Sequence, residues 1–194
     1  MNPSAFAAAV FLSASALLSV NASAAEIQLL EVERDGARVL IDSRMLIAAP
    51  RADVFAALAD YERFSELSDR YLESRYIPED FDGTPRIYTK VEGCVLFFCR
   101  TIKRYARLEL TPDTLIVALV DAQLSDLEFG HERWELSDVP EGTQVIYRHE
   151  LEPDFWVPPV IGVWAIKRIL SRDALRAASR IERMARQKRR ELQA

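Results

Sequence analysis

The sequence predicts an α+β fold of seven strands, two short helices after the first strand, and one long C-terminal helix. Three observations predict it. Short runs of strand-forming residues recur from residue 38 to residue 151, with turn residues between them. Two sets of apolar residues at helical spacing follow the first run: Val54, Phe55 and Leu58, then Tyr61, Phe64 and Leu67. From Pro158 to about Leu192 one uninterrupted helical period remains.

The elements follow in order. Arg38 to Ile47 is rich in apolar strand formers and stops at Ala48-Ala49-Pro50. Pro50 suits a first helical turn, so Pro50 to Leu58 reads as a helix and Asp60 to Leu67 as a second. Tyr71 to Pro78 is a strand, and Phe81-Asp82-Gly83-Thr84-Pro85 a turn. Arg86 to Gly93 alternates around Ile87, Thr89 and Val91. Thr101 to Thr111 alternates around Ala106, Leu108 and Leu110, with the charged Arg104, Arg107 and Glu109 expected mostly on solvent. Leu115 to Ala122 is almost wholly apolar, as a strand buried on both faces is. His131 to Leu136 sets Trp134 and Leu136 on one face, and Gln144 to Leu151 does the same for Val145, Tyr147, His149 and Leu151. On the last helix Val163, Ile166, Leu170, Ala174, Ala177, Ile181 and Ala185 form one stripe. Arg168, Arg172, Arg176, Arg183, Arg186 and Arg190 form the opposite one.

Composition narrows the function classes. At 194 residues, 49% hydrophobic and 28% charged, the chain has material for a sizeable core and is neither collagen-like nor disordered. A net charge of −5 argues against a nucleic-acid partner. The charge is unevenly spread. Residues 167–194 hold ten Lys/Arg and three Asp/Glu, a net +7, so the rest of the chain carries −12. That asymmetry points either to an anionic partner, such as a membrane surface met through the six stripe arginines, or to a solvated helix face that offsets an acidic body.

Residues 1–24 read as a signal peptide and 25–194 as one domain. Glu26 is the first charged side chain, and Ala5 to Val20 is a 16-residue apolar run broken only by Ser. That run is short for a membrane span. Ala22-Ser23-Ala24 offers the small residues that cleavage requires. The expected location is therefore outside the cytoplasm, and the periplasm if the source is a Gram-negative bacterium. Export favours pairing Cys94 with Cys99, the only two cysteines. On one straight strand they would lie roughly 16 Å apart. A bridge therefore needs the chain to reverse at Val95-Leu96-Phe97-Phe98, and two free thiols on a continuous strand are the alternative. No zinc spacing, phosphate-binding glycine loop or nucleophile elbow is present, so neither metal nor cofactor is expected.

Several stretches resemble one superfamily. Ile47-Ala48-Ala49-Pro50-Arg51-Ala52-Asp53-Val54-Phe55 looks like its strand-to-helix junction, and Leu58-Ala59-Asp60-Tyr61-Glu62-Arg63-Phe64 like its L-x-D-Y-x-x-F step. Phe129 to Leu136 resembles its sixth strand, Gly142 to Val145 its last hairpin, and Pro153 to Pro159 the entry to its last helix. The sequence is thus similar to the START-like (SRPBCC) superfamily, in particular its polyketide cyclase/dehydrase and lipid-transport branch, which includes coenzyme Q-binding-like proteins. The resemblance implies the helix-grip fold, a curved antiparallel sheet wrapped around the last helix, with a cavity between them.

The expected lining is Met45, Ile87, Val91, Leu108, Leu110, Trp134, Tyr147, His149 and Trp164, as ligand contacts or as plain core. His149 and Tyr147 are the only acid–base candidates, with His149 expected to reach Tyr88 or Glu92 across the sheet. In related plant hormone receptors the matching connection to residues 94–99 gates the cavity. Val95, Leu96, Phe97 and Phe98 would close the mouth, enter lipid or cap the core. The function expected is binding or carriage of an apolar molecule such as a lipid, quinone or acyl chain. A cyclase or aromatase working in the same cavity is the alternative.

Overall fold

The computed structural model describes residues 25–95, 98–157 and 163–193. The expected leader, Leu96 and Phe97 of the expected gate, the gate side chains of Val95 and Phe98, and residues 158–162 before the last helix lie outside the described residues. Eight strands form one antiparallel sheet: β1 (Glu26–Asp35), β2 (Arg38–Ile47), β3 (Tyr71–Ile77), β4 (Arg86–Val95), β5 (Phe98–Thr111), β6 (Leu115–Val120), β7 (Leu127–Val139) and β8 (Gly142–Pro153). Their spatial order is β1-β2-β8-β7-β6-β5-β4-β3. Helix α1 (Arg51–Leu58), a 3₁₀ turn (Tyr61–Arg63) and α2 (Phe64–Leu67) connect β2 to β3, and α3 spans Val163–Gln193. The sheet curves around α3 as a helix-grip fold does.

The seven-strand expectation is corrected to eight. The missed strand, β1, sits at the sheet edge, where it pairs only with β2. Its period-2 signal is broken because the register with β2 shifts between Ile27 and Leu29, which sets Leu29 and Leu30 side by side. Glu26, Glu31, Glu33, Arg34 and Asp35 give it the charge that discourages edge-to-edge pairing. Gly36, with φ of 61°, supplies the left-handed residue in the turn to β2.

The core lies where α1, the 3₁₀ turn and α2 meet α3 and the concave sheet face. Ile47, Val54, Leu58, Tyr61, Phe64, Ile87, Leu108, Ile116, Val145 and Met184 are almost fully buried there. The helix obeys its predicted stripe unevenly. Ala178, Ile181, Met184 and Ala185 in its second half are buried, whereas Ile166, Ile169 and Leu170 in its first half are only half-buried. The second half is also held by ion pairs from Lys188 to Asp60 (2.7 Å) and from Arg189 to Asp53 (3.7 Å).

Gly142 opens β8 at φ 141°, and a Cβ there would collide with the Ile47 carbonyl oxygen and crowd Ala48 Cα at 3.0 Å. Gly142→Ala is therefore expected to destabilise the fold by about 2–3 kcal/mol, read from urea unfolding.

Candidate functional site

Two cross-strand rows build the concave floor. Ser43, Tyr147, Trp134, Ile116 and Leu110 face one another along one row, and Ile41, His149, Glu132, Ala118 and Leu108 along the next. Above them α3 borders two adjoining cavity lobes, of about 300 and 190 Å³. Both lobes are walled by Ile41, Arg70, Tyr71, Tyr147 and Leu170. The larger adds Val91, Ile102, Leu151, Ile166 and Ile169, and the smaller adds Met45, Phe64, Trp134 and Ile181.

The expected lining residues separate into three groups. Val91, Tyr147 and His149 line the larger lobe, and Met45, Trp134 and Tyr147 the smaller. Ile87 and Leu108 are buried in the core and line neither lobe. Leu110 and Trp164 are exposed, at 37% and 70%. Leu110 lies beyond the end of β4, whose first residue, Arg86, pairs with Arg107. Trp164 lies on the far side of α3 from Ile166, Ile169 and Leu170.

The floor of the larger lobe is charged. Arg104, expected on solvent, is buried at 6% and pairs with Glu132, buried at 2%. Arg104 also donates to Thr89 Oγ1 at 3.2 Å, and Trp134 Nε1 donates to the other Glu132 oxygen at 3.0 Å. Burial opposes both charges, but each partner's field wins. Glu132 is held below the usual carboxylate range and Arg104 above its own ordinary value. The alternation could have revealed the pair. Arg104 is in phase with Ala106 and Leu108, and Glu132 with Trp134 and Leu136.

His149 does not reach Tyr88 or Glu92 as expected, because β8 and β4 are four strands apart in the sheet. Its Nδ1 instead lies 3.0 Å from the Tyr147 hydroxyl. Burial lowers His149 from 6.5 to about 4, with the Glu132 charge opposing the shift, so the ring is neutral at pH 7. We assign Tyr147 as the donor and Nε2 as protonated. The reverse tautomer would leave both the Tyr147 proton and the Nε2 lone pair unmet. Burial likewise raises the Tyr71 phenol to about 12 and those of Tyr61 and Tyr147 well above 10.

Among the described residues, three that line the lobes keep a buried polar atom with no hydrogen-bond partner: Arg104 Nη2, His149 Nε2 and Ser43 Oγ. The first two are donors, and an acceptor oxygen would meet either. Cys94, which also lines the larger lobe, is disulfide-bonded to Cys99, directly opposite it on β5 with Cα atoms 4.0 Å apart. His131 lies on the other sheet face, in a groove with Glu31 and Arg133. Among the described residues no group of His, Cys, Asp and Glu is arranged to hold a metal ion.

Residues 47–178 match the sequence model of the family described as polyketide cyclase/dehydrase and lipid transport. The chain belongs to that family. Solved structures with the same fold include the Zhui aromatase/cyclase from Streptomyces sp. R1128, with a TM-score of 0.60 at 13% identity over 78% of this chain and 95% of that one. A START superfamily protein from Mycobacterium smegmatis has a TM-score of 0.56 at 15% identity, over 78% and 99%. Human STARD10 has a TM-score of 0.56 at 11% identity, over 84% and 76%. At such identities the likeness establishes the START-like fold alone. No curated protein sequence matches the chain.

Two predictions follow from the floor of this polyketide cyclase/dehydrase-family cavity. Glu132→Gln leaves the Arg104 charge buried without its counter-charge and is expected to cost about 3–5 kcal/mol in urea unfolding. Replacing both members, Arg104→Met with Glu132→Leu, is expected to recover most of that loss. The second concerns pH. Unfolded His149 binds a proton near 6.5 and folded His149 only near 4, so stability falls as pH drops across that window. Glu132, with its folded pKa depressed, loses its contribution below about 4.5, in the same direction. The urea midpoint is expected to decline from pH 6.5 downward, and His149→Phe to flatten the decline between 6.5 and 4.5. The His149 ring resonances should titrate with a midpoint of about 4.

Proposed function

We propose that this protein is an exported carrier for a single-chain or single-ring-system apolar molecule that bears an acceptor oxygen. One observation carries the reading. Two residues that line the apolar hollow under α3 each keep an unpartnered buried donor, Arg104 Nη2 and His149 Nε2. A carbonyl, quinone or carboxyl oxygen can accept from such a donor, while the rest of the ligand gains roughly 25 cal/mol per Å² of apolar surface removed from water. At about 300 Å³ the larger lobe sits at the small end of ligand sites, which favours one chain over a two-chain lipid.

Export rests on the leader-like sequence of residues 1–24 and on the disulfide, a bond that persists in oxidising compartments. Among the described residues no helix is long and apolar enough to cross a membrane. Docking on an anionic bilayer is supported by the outer face of α3. Arg168, Arg172, Arg176, Arg183 and Arg190 are exposed there without a carboxylate partner among the described residues, and Arg186 bonds Glu182. Trp164, on the same face, is exposed, as is Trp156 in the preceding loop. Such a mixture of Trp and Arg suits a membrane interface.

Native mass spectrometry of the protein isolated from its producing cells, with lipid extraction of the same sample, tests the carrier reading. The expected result is an added mass matching an apolar, oxygen-bearing molecule. His149→Phe is expected to weaken binding of that molecule about ten-fold, the effect of one lost buried hydrogen bond. Conversion of the molecule on incubation, abolished in His149→Phe, would instead establish the cyclase-like alternative. Sedimentation with vesicles tests docking. Binding to vesicles containing anionic lipid should fall as salt rises and be absent with neutral lipid.

A further inference from the structure

Arg70 stands between the interior lobes and a charged stretch of surface. It directly precedes β3, and its Nε donates to Asp173 Oδ2 on α3 at 2.6 Å. On its inner side Arg70 walls both cavity lobes. On its outer side it walls two surface hollows, and Asp173 borders both of these and the smaller lobe. One ion pair, with each side chain about one-third exposed (33% and 31%), is therefore the partition between the lobes and these two surface hollows. A pair this exposed adds little net stability and opens readily.

The hollow outside that partition is cationic. Arg70, Arg172, Arg176, Asp173 and Ile169 line it, three positive charges against one negative. Arg172 and Arg176 lie one turn apart on α3, exposed, with no carboxylate within 4.0 Å among the described residues. The neighbouring hollow adds Arg180, whose guanidinium is engaged by both Asp69 oxygens at 2.8 and 2.9 Å, and Glu92. Asp173 is the only carboxylate bonded to Arg70 among the described residues. An incoming anion can replace it, with Arg172 and Arg176 completing the cradle. Ile169, which lines both this hollow and the larger lobe, continues the path with apolar surface.

We propose that the Arg70–Asp173 pair is the mouth of the cavity, and that Arg70, Arg172 and Arg176 bind the anionic end of a single-chain amphiphile whose tail lies in the lobes. This rests on the carrier reading. It adds to that reading the place of entry and a negative charge at the end of the ligand that stays near solvent.

Fluorescence titration with cis-parinaric acid and its methyl ester separates the two ideas, because the tails are identical and only the charge differs. The acid is expected to bind about ten-fold more tightly than the ester at low salt. Arg172→Gln with Arg176→Gln, both on the exposed helix face, should bring the acid to the level of the ester and leave the ester unchanged. Asp173→Asn, which frees Arg70, should strengthen binding of the acid. Equal binding of acid and ester, or a preference for the acid that survives the double substitution, overturns the proposed mouth and leaves the apolar cavity standing. If neither probe binds while the isolated protein carries an extracted apolar molecule, the mouth fails and the carrier reading stands; if there is also no added mass, both fail.

Discussion

The ion pair between Arg104 and Glu132 is the constraint around which the interior is arranged. Two charges set under a helix cost several kcal/mol each to desolvate, and their attraction repays this only if the remaining donors and acceptors are also met. Here Thr89 Oγ1 accepts a hydrogen bond from Arg104 Nε, and Trp134 donates to Glu132. Trp134 packs at a tilt against Tyr147, ring centroids 4.1 Å apart, and Tyr147 in turn holds His149. A hydrophobic pair of similar volume would fold nearly as well, so stability alone gives the pair little purpose. Its result is a charged donor fixed in a low-dielectric hollow, with Nη2 left over. A group of that kind binds an oxygen far more strongly than it could in water.

The same floor explains the uneven helix. The second half of α3 packs against α1 and β1, and there Ala178 and Met184 are fully buried. Where it passes over Glu132 and His149 the sheet offers polar groups, and Ile166, Ile169 and Leu170 stop short of it. The hollow is thus a consequence of putting charge on an otherwise apolar surface. A helix anchored at one end and lightly packed at the other opens locally at its lightly packed end, since local stability follows buried apolar contact. Asp173, one turn after Ile169, ties that lightly packed stretch to Arg70.

Much of this was legible in the sequence, and the failures are specific. Residues that repeat a period were read correctly: β2 has the predicted bounds Arg38–Ile47, and the α3 stripe faces the sheet. β1 was invisible because a register shift and five charges hide its alternation. Arg104 and Glu132 were overlooked because charge outweighed phase, although both fall on the inward beat of their strands. Arg70 and Asp173 carry no periodic signal at all. They lie 103 residues apart and meet only because β3 and α3 converge. Leu110 and Trp164 show the opposite error, since an apolar side chain is not obliged to be inside.

Carriage and cyclisation make different demands on these groups. An acid–base catalyst works best with a pKa near the operating pH. His149 at about 4 is a weak base at neutral pH, and Tyr147, pushed well above 10, a weak acid. The Tyr147–His149 contact, by contrast, fixes one tautomer and aims one proton, which is what recognition of an oxygen requires. Glu132 is occupied by Arg104 and Trp134 and is not available to take up a proton. The interior chemistry therefore favours holding a molecule over transforming it. A cyclase in this hollow would have to act by shaping its substrate and by polarising a carbonyl with Arg104 and His149, the same contact that a carrier uses to hold its cargo.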